Sequence, residues 1–349
     1  MPKLLKNVMI YDFDDFIRDG YILFEDKIID AGRMQDVPDG IFEEIDGSGQ
    51  LALPGLVSAH THLYSAFARG LALKLDIRSF KDILTQLWWK LDRGIDNDIA
   101  YASALSFGSE MLLNGVTSIS DHHASGREIA GSLEAIKKAV TEDLGMRGIF
   151  AFETSDRFDV DEAIRENRDF ISHNTGPYAS GTFGMHASMS LSDDTLAKVK
   201  ANLDDAPIHI HVAESLDDET DCRKKHHVPI VKRLDNFRLL TPDSILSHGV
   251  HLDQEEMDII REKDVLVCLN VSSNMNNGVG LPDVRKMKES GIRTILGNDG
   301  LHAGMAPEYL NLYYTMHLKY ASLTGFSDVL VKEAINETYD YFTRRLSIG

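Results

Sequence analysis

Short apolar segments alternate with helical segments along this chain, and this alternation constrains the fold more than any other feature. Eight segments are predicted to be strands: 51–62, 117–123, 147–154, 181–187, 207–214, 244–250, 265–270 and 293–299. Helices are predicted between them, among others at 99–113, 133–144, 161–172, 195–202 and 254–262. Eight such units are typical of a (β/α)8 barrel, a TIM-like α/β fold. A doubly wound open sheet is less favoured, because no GxGxxG-type turn follows the first strand.

Residues 1–50 have a different pattern. Short β-type segments at 8–10, 20–24 and 27–31 are joined by acidic turns. We therefore predict a small N-terminal β-domain at 1–50, followed by the barrel at 51–349.

Composition excludes several classes of function. The chain has 36 basic and 55 acidic residues, a formal net charge of −19, so its surface should repel nucleic acid and anionic membranes. No apolar run approaches the roughly 20 residues of a membrane span, and no signal peptide is evident. The two cysteines, Cys222 and Cys268, are far apart in the sequence, which favours a reducing cytoplasm over a disulfide framework.

Ligand-type side chains occur at the carboxyl ends of the predicted strands. His60 and His62 end the first strand, and residues i and i+2 of a strand point to the same face. The fourth, fifth, sixth and eighth strands end in similar residues: His186, His209, His211, Glu214, His248, His251 and Asp299. Because barrel active sites lie at these strand ends, we expect most of these side chains to meet at one mouth.

The chemistry of this set indicates a metal centre. His60, His62, His211 and Asp299 supply the imidazoles and carboxylate that suit zinc or another first-row divalent ion, with one position open for water. Such an ion lowers the pKa of bound water to about 7, so that hydroxide forms at neutral pH. Glu214 is placed to move a proton between this water and a leaving group, and Asp299 can also accept the water proton. His248 is predicted to polarise the oxyanion or orient the water.

Four motifs in this order resemble the amidohydrolase superfamily: PGLVSAHTH at 54–62, HIHVAES at 209–215, LSHGVHL at 246–252 and LGNDG at 296–300. The resemblance is closest to the mononuclear deaminase and chlorohydrolase branch. Segments 65–70, 87–93 and 120–126 are similar to the SsnA-type aminohydrolases.

The resemblance implies specific roles. His60, His62, His211 and Asp299 would be the metal ligands, Glu214 the proton shuttle, His248 an orienting group and His186 a substrate contact. Dinuclear relatives use a lysine on the fourth strand, which is missing here, so a single ion is expected, with zinc favoured and iron as the alternative. Relatives are commonly dimers or larger, which implies a homo-oligomer.

Substrate contacts are predicted from residues near the mouth. Trp88, with Tyr64 and Phe67, would form an aromatic wall, although tryptophans in a helix usually belong to the core. Asn270 begins an asparagine-rich loop that suits the polar edge of a heterocycle, and His302 lies just beyond the last motif. His209 should face away from the metal and pack inside the barrel.

The resulting expectation is hydrolytic deamination of a purine-, pyrimidine- or pterin-like heterocycle. Hydrolysis of a cyclic amide or an aryl chloride is the related alternative, but chloride needs no proton to leave, so Glu214 favours loss of an amine. A catalytically impaired metal-binding scaffold is the second alternative. Relatives usually continue into strands that complete a sandwich with the N-terminal domain, and such strands are not evident after residue 299.

Overall fold

The computed structural model describes residues 1–321 and 326–348. The chain divides into two compact units, Met1–Gly55 and Leu56–Gly349. The first unit is a five-stranded sheet of β1 (Lys3–Tyr11), β2 (Phe16–Phe24), β3 (Ile28–Arg33), β4 (Glu43–Asp46) and β5 (Leu51–Ala52). Its order is β3-β2-β1-β4, with β5 also paired to β1. Leu4, Tyr21 and Leu23 form its small buried core.

The predicted strand at 51–62 is wrong as a single element. Leu51 and Ala52 pair in parallel with Met9 and Ile10 of β1, so this stretch belongs to the N-terminal sheet. The strand then stops before Pro54, which has no N–H to donate to a ladder. The first barrel strand begins at Leu56, and the boundary between the units falls after Gly55 rather than after residue 50.

The second unit contains parallel strands in the orders β6-β7-β8-β9 and β10-β11-β12-β13-β14. Their bounds are Leu56–Thr61, Val116–His123, Arg147–Phe152, Ala179–Gly181, Phe183–Ala187, Ile208–Val212, Ile245–His248, Leu266–Leu269 and Thr294–Leu296. β9 and β10 are the two parts of the predicted fourth strand, separated at Thr182. The nine strands therefore occupy eight positions in the barrel.

Backbone hydrogen bonds join the two sheets on both sides. The Thr154 N–H donates to the Gly184 carbonyl at 3.1 Å, which links the end of β8 to β10. The N–H groups of Asn298 and Asp299 both donate to the His60 carbonyl, at 3.0 and 3.1 Å. The sheet is therefore closed, and the predicted (β/α)8 barrel is confirmed.

Helices surround the strands. They are α1 (Phe80–Ile83), α2 (Trp89–Asp92), α3 (Asn97–Leu113), α4 (Ser132–Lys137), α5 (Val160–His173), α6 (Asp193–Asn202), α7 (Leu216–His226), α8 (Ile230–Asn236), α9 (Gln254–Glu262), α10 (Val271–Asn276), α11 (Val284–Glu289), α12 (Ala306–Tyr320) and α13 (Phe326–Leu346). The predicted helix at 133–144 continues beyond α4 as a π-helical segment, Lys138–Asp143, and another such segment, Leu84–Trp88, precedes α2. Short 3-10 turns lie at Met34–Asp36, Leu63–Ala68 and Ser188–Ser190. No described helix is long and apolar enough to cross a membrane.

Helix α13 packs against the barrel interior. Tyr341, Phe342 and Leu346 belong to one buried cluster with barrel residues that include Val57 and Ile245, near the amino ends of their strands. This end of the barrel is filled by apolar side chains, which leaves the carboxyl ends of the strands for chemistry. In the described residues after β14, the chain forms helices and no strand.

Helices α7 and α9 bring two carboxyl groups together in the interior. Burial, followed by the charge of Glu219, raises the pKa of Glu256 to about 8. Glu256 also accepts hydrogen bonds from the N–H groups of Val231 and Asp253, at 3.0 and 3.1 Å. The folded state therefore favours the protonated form of this side chain.

We expect Glu256→Gln to reduce the fall in stability between pH 5 and pH 8. Because the folded-state pKa of Glu256 is raised above its unfolded value near 4.5, wild-type stability falls as pH rises from about 4.5 to about 8. Glutamine cannot ionise, so between pH 5 and pH 8 the variant should lose about 1 kcal/mol less free energy of unfolding than the wild type. Its amide nitrogen replaces one of the two oxygens that accept backbone N–H groups, so the variant should be less stable than the wild type at pH 5. Urea unfolding at both pH values measures both effects. Glu255→Gln, on the exposed side of the same turn, is the control. An equally reduced fall in stability in both variants would show that Glu256 is not the group responsible.

Candidate active site

Four predicted ligands converge at the carboxyl ends of three strands. His60 lies in β6 and His62 follows it, His211 lies in β11, and Asp299 comes shortly after β14. One ligand atom from each of the four lies within 4.8 Å of the other three. Asp299 has a φ of 53°, a strained conformation for a residue other than glycine and one found often at functional sites.

The orientation of two imidazoles is fixed by backbone acceptors. His62 Nδ1 donates to the His122 carbonyl at 2.6 Å, and His211 Nδ1 donates to the His186 carbonyl at 2.8 Å. With their protons on Nδ1, both rings present the lone pair of Nε2 to the centre of the site, where the two Nε2 atoms are 3.2 Å apart. Two facing lone pairs repel unless a cation lies beside them, so this arrangement fits a metal ion.

Asp299 adds negative charge at the same point. Its Oδ1 lies 3.0 Å from His60 Nε2 and 3.1 Å from His62 Nε2, and its Oδ2 accepts a hydrogen bond from Ser273 Oγ at 2.5 Å. Burial opposes ionisation of Asp299, but His248, His60 and His62 outweigh burial and hold its pKa well below the usual range. Three imidazole nitrogens and one ionised carboxylate form the donor set of a divalent metal site.

His209 supports the first ligand. Its Nε2 lies 2.9 Å from His60 Nδ1 and 3.3 Å from Ser247 Oγ, deep inside the barrel. When His60 offers Nε2 to a metal ion, its Nδ1–H donates to His209, which fixes the ring and its tautomer. His209 thus lies behind the ligands, in the barrel interior.

We expect His209→Leu to weaken metal affinity by about 10- to 100-fold, the usual effect of removing a group that orients a metal-bound histidine. Leucine retains much of the volume but accepts no hydrogen bond from His60. Competition with a chromophoric chelator measures the affinity. His173→Ala, at the exposed end of α5, is the control, and unchanged affinity in His209→Leu would show that this contact does not orient the ligand.

Glu214 and His248 lie beside the ligand set. Glu214 Oε2 is 3.6 Å from His248 Nε2, and Glu214 Oε1 accepts a hydrogen bond from Asn277 Nδ2 at 3.3 Å. Burial raises the pKa of Glu214 to about 7, which suits a group that takes up and releases a proton near neutral pH. His248 has a φ of 76° and donates from Nδ1 to Asn274 Oδ1 at 2.8 Å, so its Nε2 faces the site.

Glu153 is a site residue that sequence reasoning missed. It follows β8 directly and lines the cavity, with Oε1 3.1 Å from His122 Nδ1 and Oε2 3.0 Å from an Arg157 guanidinium nitrogen. His122 and Glu153 lie within 4.8 Å of His62 and His211, but His122 Nε2 also faces the His209 carbonyl at 3.0 Å. Both His122 nitrogens therefore face acceptors and offer no lone pair to a metal ion. Glu153 is also a polar residue at a strand end, so the rule that identified the histidines could have identified Glu153 as well.

The ligands open onto a cavity of about 240 Å³. This is just below the range of about 300–1,000 Å³ of drug-sized sites, so it suits a compact ligand. Of the predicted substrate contacts, His186 and Trp88 line the cavity, together with Tyr64 and the neighbouring Trp89. The fourth-strand segment, β9 and β10, contains no lysine, and Lys198 pairs with Asp161 at the surface.

Three residues predicted at the mouth lie elsewhere. Asn270, His302 and Phe67 are not part of the cavity wall among the described residues. Asn270 is fully buried below the site, where a Cβ on Gly297 would come within 2.5 Å of its Oδ1. His302 packs against α10 and α12 instead, with its Nε2 2.9 Å from Oε1 of the buried Glu308 and 3.2 Å from Ser272 Oγ. Asn276 and Asn277, later in the asparagine-rich loop, do line the cavity.

Comparison with known proteins agrees with this site. The model of the Amidohydrolase family matches residues 51–338. A 5'-deoxyadenosine deaminase of Methanothermobacter thermautotrophicus is 31% identical over 316 residues, covering 88% of this chain and 70% of that protein. A 5-methylthioadenosine/S-adenosylhomocysteine deaminase of Syntrophomonas wolfei is 31% identical over 310 residues, covering 86% of this chain and 70% of that protein.

Solved structures share the fold at lower identity. A guanine deaminase from C. acetobutylicum with bound guanine has a TM-score of 0.82 at 18% identity, covering 98% of this chain and 87% of that chain. An adenosine deaminase from Xanthomonas campestris with bound zinc also has a TM-score of 0.82 at 19% identity, covering 97% of this chain and 80% of that chain. Since the family model spans most of the chain and the ligand set is complete, the chain belongs to the amidohydrolase family and is a hydrolase of carbon–nitrogen bonds.

Proposed function

We propose that this protein is a metal-dependent deaminase that hydrolyses an exocyclic amino group from a purine-like heterocycle. The central observation is the convergence of His60, His62, His211 and Asp299 beside Glu214 in an aromatic-walled cavity. The names of the relatives support this proposal, since both sequence relatives described above are deaminases of adenosine derivatives.

The four converging residues would hold one divalent ion. Zinc is the ion we propose, because the donor set suits it and a structural neighbour contains it. Once bound, the ion lowers the pKa of a water molecule toward about 7 and provides a nucleophile at neutral pH. A single ion is proposed, because no lysine lines the described cavity wall.

Protein side chains then transfer protons and orient the substrate. Glu214 accepts a proton from the attacking water as its oxygen bonds to the ring carbon. It returns this proton to the amino nitrogen as the carbon–nitrogen bond breaks, so that ammonia leaves. The proton that remains on the added hydroxyl passes to the adjacent ring nitrogen, and a carbonyl forms on the ring. His248 Nε2 faces Glu214, and in the protonated imidazole it donates to the oxygen on which negative charge develops. His186 and Trp88 orient the ring from the cavity wall.

Ammonia release across a panel of aminated purines, pyrimidines and pterins tests this function. We expect ammonia from at least one adenine derivative, in equal amount to the hydroxylated product. A cyclic amide and an aryl chloride belong in the same panel. Release of another product without ammonia from any member would overturn the deaminase proposal.

We also propose a homo-oligomer that works in the cytoplasm. Leu310, Tyr314 and Leu318 form a stripe on α12 and are 50%, 57% and 80% exposed, and exposed apolar patches often mark surfaces that bind another protein. Both cysteines are buried free thiols, which agrees with a reducing compartment. Sedimentation equilibrium of the wild-type protein and of Leu318→Glu tests the assembly.

A further inference from the structure

One serine hydroxyl on the cavity wall has no role in the reaction proposed above. Ser273 lies on α10, lines the cavity and is only 4% exposed. Its Oγ donates to Asp299 Oδ2 at 2.5 Å, and it accepts a hydrogen bond from Asn277 Nδ2 at 3.2 Å. Because the amide supplies the hydrogen of the second bond, the serine proton is available for Asp299.

The two oxygens of Asp299 therefore have different partners. Oδ1 faces the imidazoles, 3.0 Å from His60 Nε2 and 3.1 Å from His62 Nε2. Oδ2 is held by Ser273 and lies 4.0 Å from His248 Nε2. A carboxylate can offer one or both of its oxygens to a metal ion, so the partner of Oδ2 decides how many are available.

Helix α10 is anchored by α12. The Ser272 N–H donates to Glu308 Oε2 at 3.1 Å, and Asn311 Nδ2 donates to Ser272 Oγ at 2.8 Å. Glu308 is fully buried, so solvent does not compete for its contact with the backbone. These hydrogen bonds fix the backbone immediately before Ser273, from which the hydroxyl reaches Asp299.

The backbone of Asp299 is fixed as well. Its N–H donates to the His60 carbonyl at 3.1 Å. The carbonyl of the next residue, Gly300, accepts a hydrogen bond from Ser65 Oγ at 2.8 Å. Rotation of the carboxylate about the Cβ–Cγ bond remains, and this torsion has only a broad preference in aspartate. The Ser273 hydroxyl restrains the rotation from the side of Oδ2.

We propose that Ser273 is a positioning residue that holds Asp299 as a one-oxygen metal ligand and so keeps one position at the ion open. This inference rests on the proposed metal-dependent function, in which His60, His62, His211 and Asp299 hold one ion. Without the hydroxyl, the carboxylate would rotate and offer both oxygens, which fills the position that a catalytic metal site must leave free.

Azide binding to the cobalt-substituted protein tests this role, because azide occupies an open position at the ion and changes the visible absorption of cobalt. Ser273→Ala keeps all four ligands, so we expect it to bind cobalt within about threefold of the wild-type affinity. Azide should bind to the cobalt form of Ser273→Ala about 10-fold or more weakly than to that of the wild type.

Turnover gives a second measurement. We expect kcat for ammonia release to fall by about 10- to 100-fold in Ser273→Ala while KM changes little, the usual effect of removing a group that orients a metal ligand. Ser103→Ala is the matched control, since it removes a buried helix hydroxyl that bonds the Ala100 carbonyl at 2.9 Å and lies away from the cavity. It should retain cobalt affinity, azide affinity and turnover.

Two results would overturn this role of Ser273. One is azide affinity in Ser273→Ala equal to that of the wild type, and the other is a loss of cobalt affinity as large as the loss of azide affinity, which indicates a general disturbance of the site. Both affinities are measured without substrate, so they decide on Ser273 even if no heterocycle yields ammonia. In that case the deaminase proposal fails, while weaker azide binding at unchanged cobalt affinity would still support the positioning role.

Discussion

Asp299→Ala is expected to remove metal binding and turnover together. The substitution deletes the one carboxylate of the ligand set and leaves His60, His62 and His211 facing each other without a counter-charge. Because a bound ion supplies several kcal/mol of transition-state stabilisation, we expect kcat/KM to fall by about 1,000-fold or more. Metal content by mass spectrometry and ammonia release on the same preparation measure both effects.

Asp258→Ala, in α9 where the side chain is 48% exposed and pairs with Arg261, is the matched control and should retain both metal and activity. A folded Asp299→Ala protein that keeps its metal and most of its activity would show that the centre is not assembled as described. Loss of folding is detected separately by thermal unfolding of both variants.

Glu214→Gln is expected to lower kcat by about 100- to 10,000-fold while metal content remains unchanged, the usual contribution of a general acid–base group. Glutamine retains an oxygen that can accept the hydrogen bond from Asn277, so the cavity should keep its shape. It cannot take up a proton from water, and the amino group must then leave unprotonated.

A pH profile separates proton transfer from a structural role of Glu214. Burial raises the pKa of Glu214 to about 7, so wild-type activity should change with pH near this value. The residual activity of Glu214→Gln should lack this dependence. If kcat fell only a few fold, or if the same pH dependence persisted in the variant, another residue would have to be the proton shuttle.

The barrel could be predicted from the sequence because each buried parallel strand is a short apolar run. Such runs are visible in the hydrophobic pattern without knowledge of tertiary contacts. The sequence also predicted which ligand side chains meet, since the carboxyl ends of parallel strands lie at one end of the barrel. His60, His211 and Asp299 follow this rule directly and lie together in the structure.

Other features depend on tertiary contacts that no local pattern reveals. Leu51 and Ala52 are apolar like a barrel strand, but pairing with β1 assigns them to the N-terminal sheet. Asn270 and His302 lie close in sequence to strand ends, yet Asn270 lies buried below the site and His302 packs against Ser272 and Glu308. The role of Glu153 depends on Arg157 and His122, which come from a loop and from another strand.

Metal-dependent deamination is tested by ammonia release from adenosine in metal-free and zinc-reloaded protein, with metal content measured on the same samples. We expect one zinc ion per chain in the reloaded protein, ammonia and inosine in equal amounts, and no turnover without metal. Full activity in the metal-free protein would show that the reaction does not depend on the metal ion. A fully loaded protein that releases no ammonia from adenosine or any other aminated heterocycle would show that the protein is not a deaminase.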